Sequence, residues 1–310
     1  MRGSAPGRGA IAALLATLLV LLAIPGTAAA EPALPAGFQD EVVFDGLEQP
    51  VNFRFAPDGR VFVAEKPGRI KVFDGLEDTT PEVFADLRGS VYDNGDRGLL
   101  GLELDPDFAT NGRVYALYTW DHVLGEAWDP ADPKYGTPGV SGDPGCPAQN
   151  TSGSCLVSGR LVVLEEDSGN ENHAVEESGR PKEEQLLQGW CQQFSSHSIG
   201  ELQFGPEGAL YVSGGDGAAY ESIPDYGQLG TPSNPCGDPP TPVGVTPESS
   251  PGEPLPDAQG GALRSQNLKL LNGTILRIDP ETGAAWPGNP LAASGDENTR
   301  RTIAQGFRNP

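Results

Sequence analysis

The sequence predicts an all-β fold of the β-propeller class, present as an incomplete N-terminal portion with long loop insertions. Three observations predict it. Sustained helical periodicity is absent. Gly and Pro, 42 and 30 of 310 residues, cut the chain into short elements throughout. A strand–turn–strand unit recurs, marked by Pro57, Pro106 and Pro206 at intervals of 49 and 100 residues, and a period near 50 is about the size of one propeller blade.

The elements follow in order. Arg2 and Arg8 precede an apolar run from Ala10 to Ile24, then Pro25, Gly26 and Ala28-Ala29-Ala30. That is the pattern of a secretory signal peptide cleaved near Ala30, and the run is short of the roughly 20 residues of a membrane span. Residues 31–310 form the expected propeller domain, secreted to an extracellular or periplasmic space. Val51–Phe55, a turn at Ala56-Pro57-Asp58-Gly59 and Arg60–Glu65 read as two strands of a hairpin, with a third at Arg69–Phe73. Leu99–Leu104, Asp105-Pro106-Asp107-Phe108 and Arg113–Tyr118 repeat the pattern, as do Leu202–Phe204, Gly205-Pro206-Glu207-Gly208 and Leu210–Val212. The mark missing near 156 falls in the strand-like run Val157–Leu164, which lacks the turn. Leu271–Pro280 supplies a further strand. Two Gly/Pro/Ser/Asp-rich insertions, about Asp121–Ser154 and Ala218–Asn267, interrupt the pattern. After Gly306-Phe307-Arg308-Asn309-Pro310 no closing element follows, and closure is what removes the sheet edges of a propeller, so the chain reads as part of a longer protein.

The net charge of −23 disfavours phosphate backbones and anionic lipid as partners. Four cysteines in an exported chain point to disulfides. Cys146–Cys155 and Cys191–Cys236 are the first choice among three connectivities. A zinc site is the weaker alternative, since no C-x2-C spacing occurs.

Five segments, taken in order, resemble the glucose/sorbosone dehydrogenase family of soluble pyrroloquinoline-quinone (PQQ) sugar dehydrogenases. They are Pro57–Glu65 with Gly68-Arg69-Ile70; Arg97–Leu102 with Asp105–Phe108; His197–Asp216; Leu271–Pro280; and Gly306–Pro310. The resemblance implies a six-bladed propeller that oxidises the C1 hydroxyl of an aldose, with PQQ and calcium as cofactors and an external electron acceptor as partner. It places His197 as general base, Asp216 as the carboxylate orienting it, Arg308 beside sugar and quinone, and Asn309 as an adjacent cofactor contact. Asp96 stands where many members carry a sugar-contacting Gln. The calcium ligands are expected beyond residue 310. The chemistry suits these types: a neutral imidazole takes the hydroxyl proton, a carboxylate fixes its tautomer, and a guanidinium stabilises developing negative charge. The alternatives are a non-enzymatic carbohydrate- or protein-binding propeller of the same fold, or a calcium-dependent hydrolase or lactonase. Asp93-Asn94-Gly95-Asp96 reads as a solvated turn rather than a calcium loop.

Overall fold

A computed structural model describes residues 34–122, 124, 155–219, 233–239 and 260–310. The expected signal peptide and Cys146 lie outside them. Residues up to Val42 belong to a separate unit, of which 34–42 carry only a turn; the sheets all lie in Val43–Pro310. Fifteen strands run through the described residues of that unit. β1 (Pro50–Phe55), β2 (Val61–Glu65), β3 (Arg69–Phe73) and β4 (Glu82–Asp86) form one antiparallel meander. β5 (Leu99–Leu104), β6 (Arg113–Trp120), β7 (Val157–Asp167) and the later β11 (Glu184–Gln192) form the second sheet, ordered β11-β7-β6-β5. β8 (Asn170–Ala174) pairs with the end of β7, and β9 (Glu176–Glu177) with β10 (Arg180–Pro181). β12 (Ile199–Phe204), β13 (Leu210–Gly214), β14 (Thr274–Ile278) and β15 (Thr302–Gln305) form the third. Each of the three larger sheets is a propeller blade.

The blades stack face to face because alternate side chains of one strand point to opposite faces. On β6, Val114, Ala116 and Tyr118 join Phe62, Ile70, Val72 and Phe84 of the first blade. Tyr115 and Leu117 of the same strand join Leu202, Leu210, Val212 and Leu276 of the third. The middle blade is therefore apolar on both faces, and β6 is buried along its whole length. The first blade packs Val61, Val63 and Phe73 against Phe44 and Leu47 on its far side, where Phe53 and Phe55 of β1 remain 57% and 60% exposed.

The predicted hairpins are the first two strands of each blade. The turns at Pro57 and Pro206 close with Gly59 N–H to Ala56 C=O (3.0 Å) and Gly208 N–H to Gly205 C=O (2.9 Å), each glycine at positive φ. At Pro106 the turn is wider and holds a short helix, α1 (Phe108–Asn111), ended by Gly112 at φ +60°. The run Val157–Leu164 corrects the repeat count. It is the third strand of the second blade, not the start of a blade, so the interval of 100 residues is one blade lengthened by the insertion between β6 and β7. A second helix, α2 (Glu297–Arg301), capped by the Asp296 carboxylate on Thr299 N–H, precedes β15.

In a four-stranded meander the connections alternate between the two ends of the sheet. The turns at Pro57, Pro106 and Pro206 share one rim. The second-to-third-strand connections and the blade-to-blade links share the other. Lys66, Asp93–Asp96, Asp121–His122, His197, Asp216 and Arg308 all issue from this second rim.

Candidate active site

His197 lies in the short link between β11 and β12, and Asp216 two residues after β13. Both are buried, 2% and 3% exposed. His197 Nδ1 is 3.0 Å from Asp216 Oδ1, which also accepts the backbone N–H of Ala218 at 2.9 Å. An ionised carboxylate can only accept, so Nδ1 carries the ring proton and Nε2 the lone pair. Among the described residues nothing else hydrogen-bonds the ring.

The backbone of His197 is pinned on both sides. Its N–H donates to Asp96 Oδ2 (3.0 Å), and its C=O accepts Gly217 N–H (2.8 Å). Its φ of +52° is left-handed, a conformation that His tolerates better than most non-glycine residues. Gly215 has no room for a side chain. A Cβ there would lie 2.3 Å from His197 O, so the strand-end glycine lets the Asp216 segment press against the His197 loop. Asp216 N–H in turn donates to Arg308 C=O (3.0 Å), which brings the end of the chain to the pair. Arg308 and Asn309 are exposed there. The structure thus gathers His197, Asp216, Asp96 and the Arg308 backbone. Asp93 differs from a solvated turn residue: it is 1% exposed and ion-paired with Lys66.

Burial pushes the Asp216 carboxyl above its ordinary value, against the opposing pull of Ala218 N–H and His197. A raised folded-state value means that its contribution to stability is complete below the unfolded value, about pH 4, and is lost as pH rises through the folded value. Asp216→Asn, which removes the titration, is expected to melt above the wild type at pH 7 and to lose that advantage below about pH 4. Thermal melts across pH 3–8 check this; an advantage that does not shrink on acidification contradicts it.

Sequence reasoning missed the arginines beneath the site. Arg264, in a 3₁₀ turn at Ala262–Gln266, is fully buried. It holds Asp238 with two bonds, Nε to Oδ1 (3.0 Å) and Nη2 to Oδ2 (2.9 Å), and donates to Gly217 C=O (3.2 Å) and Gln193 Oε1 (2.7 Å). Arg97, also buried, donates to the carbonyls of Gln192 and Phe194 at 2.8 and 2.7 Å, on the stretch that leads to His197. A Cys191–Cys236 disulfide ties the segment bearing Asp238 to the end of β11. Cys155 is disulfide-bonded as well; its expected partner Cys146 is outside the described residues. Lone arginines in Gly-rich sequence carry no spacing that marks them; the one usable signal is Cys236, two residues from Asp238.

Among the described residues no group of three or more His, Cys, Asp or Glu is placed to hold a metal, and no helix is long and apolar enough to cross a membrane.

Residues 47–230 match the Glucose / Sorbosone dehydrogenase family. A structure of an oxidoreductase assigned as a glucose dehydrogenase, from Thermus thermophilus, is similar at a TM-score of 0.54 and 26% identity, over 87% of this chain and 55% of that one. The PQQ-bound aldose sugar dehydrogenase of Streptomyces coelicolor is similar in fold, at a TM-score of 0.52 and 20% identity, over 87% of this chain and 54% of that one. Hedgehog-interacting protein from Mus musculus is 32% identical over 98 residues, 26% of this chain and 14% of its own length. This chain spans about half the length of the matching structures and between 14% and 27% of curated relatives.

Proposed function

Because the chain belongs to the glucose/sorbosone dehydrogenase family, we propose that it carries the proton-transfer half of an aldose dehydrogenase site, with His197 as general base and PQQ as redox cofactor. The observation that carries this reading is the buried His197–Asp216 pair, held with Nδ1 protonated and Nε2 able to accept a proton.

The chemistry follows from the residues present. Oxidising C1 of an aldose removes the hydroxyl proton and a hydride. The proton goes to His197 Nε2, and the charge this creates on the ring is balanced by Asp216 across the 3.0 Å bond. Asp216 and the two pinned peptide groups keep the ring in one orientation, so little reorganisation accompanies the transfer. PQQ is a tricarboxylate quinone, and the donor types at this rim suit it in part: Arg308 and Asn309, exposed beside the pair, are the residues here that would hold it. When bound, the quinone supplies the acceptor for the two electrons. The described residues gather no oxygen cage for calcium, so no step is derived through that ion. A disulfide supports a location outside the cytoplasm, the substrate is a small sugar, and an external acceptor would take the two electrons on from the quinone.

One observation favours a second reading, a propeller that binds rather than catalyses: the relative named Hedgehog-interacting protein. Reconstitution separates them. The protein is titrated with PQQ and calcium, and dye reduction is followed with a panel of aldoses. Saturable quinone binding with aldose-dependent reduction is expected. Carbohydrate binding without quinone binding favours the second reading and ends the first.

A further inference from the structure

The resemblance puts Asp96, an exposed residue, at a sugar-contacting position, and one of its carboxylate oxygens, Oδ2, is held by the protein's own backbone. We propose that Asp96 is a positioning residue for the catalytic loop, acting through the backbone of His197; the inference rests on the reading of His197 as base. Three observations carry it. Asp96 Oδ2 accepts the His197 N–H at 3.0 Å, and Asp96's own N–H donates to Ser195 C=O at 2.8 Å, so one residue closes a two-bond ring around Ser195–His197. Gly95, at φ +64°, lies so close that a Cβ would sit 2.5 Å from Ser195 O; only glycine lets this turn reach the loop. The residue so held is in the left-handed region at φ +52°, a backbone that persists only where its surroundings fix it.

The clamp has its own support. The turn bearing Asp96 is fastened to the first blade by the Lys66–Asp93 ion pair and by Leu99 N–H to Lys66 C=O at 2.9 Å. Burial lowers the Lys66 ammonium below its ordinary value, and the charge of Asp96 opposes that fall. The link between the first and second blades thereby sets the conformation of the link between the second and third. Without the Asp96 acceptor the His197 peptide is free to turn over, and the imidazole shifts relative to Asp216. A displacement of about 1 Å costs on the order of 10²-fold in rate.

The test compares Asp96→Ala with Asp96→Asn, whose amide oxygen accepts the same N–H. In histidine-¹⁵N-labelled protein the chain's three histidines are resolved, and His197 is identified by its loss in His197→Ala. The expected result is that Asp96→Ala moves the His197 ring-nitrogen signals towards a tautomer mixture and lowers kcat about tenfold or more with KM little changed, while Asp96→Asn matches the wild type in both. Asp96→Leu, which keeps the shape without an acceptor, repeats the test should Asp96→Ala fold poorly. Ring signals unmoved in Asp96→Ala, a raised KM with kcat retained, or Asp96→Asn behaving as Asp96→Ala would each overturn the proposal. If the wild type oxidises no aldose, the dehydrogenase reading fails, and the ring-nitrogen signals alone still decide the role of Asp96.

Discussion

Replacing His197 with alanine is expected to lower aldose turnover by about 10²–10⁴-fold, the usual contribution of a positioned general base, while leaving the blades folded and PQQ binding within a few-fold. The loss arises because the hydroxyl proton then has only water to go to, and Asp216 is left without the ring it orients. His197 is buried, so its removal leaves a cavity beside Asp216, which keeps the Ala218 N–H; a lowered melting temperature with the blades still folded is expected. Stopped-flow dye reduction measures the rate, and quinone fluorescence or absorbance measures binding. Turnover within threefold of wild type would remove His197 from the reaction; loss of quinone binding together with turnover would make it a cofactor ligand instead.

The largest effect on stability is expected for Arg264→Ala. Arg264 and Asp238 are both fully buried in their side chains. Deleting the guanidinium strips Asp238 of its two-bond partner and leaves a carboxylate in a low-dielectric site. Breaking a buried pair from one side costs about 3–5 kcal/mol, or roughly 10 °C in melting temperature for a unit of this size. Arg264→Lys should recover only part of this, since an ammonium cannot match the planar fork. Arg264 also holds Gly217 C=O, one residue from Asp216, so the pair should loosen before the blades do. A melting temperature within 2 °C of wild type would show that the ion pair contributes nothing net.

How far the sequence discloses this arrangement depends on the range of the forces involved. The hairpins at Pro57 and Pro206 are legible because a tight turn is a local matter: glycine at positive φ and flanking alternation suffice. β6 is legible as a strand from Arg113–Tyr118, but its burial on both faces follows only from the neighbours on each side. The misplaced mark near 156 has the same origin. A long insertion in the second blade imitates a missing repeat, and nothing in the local pattern of Val157–Leu164 tells a third strand from a first. At the site, His197 and Asp216 stand out because their residue types carry chemistry within one short segment. The Arg264–Asp238 pair spans 26 residues of Gly- and Pro-rich chain, and the Asp96 contact with His197 spans 101; contacts at such separations are set by blade packing, to which no local pattern is tied.

The opposite rim has a use of its own. Asp58-Gly59 and Glu207-Gly208 sit at the hairpin tips, on the end of each sheet away from His197. A fluorophore, affinity handle or electrode tether grafted at either tip would hold the molecule by its back and leave the imidazole end facing the medium.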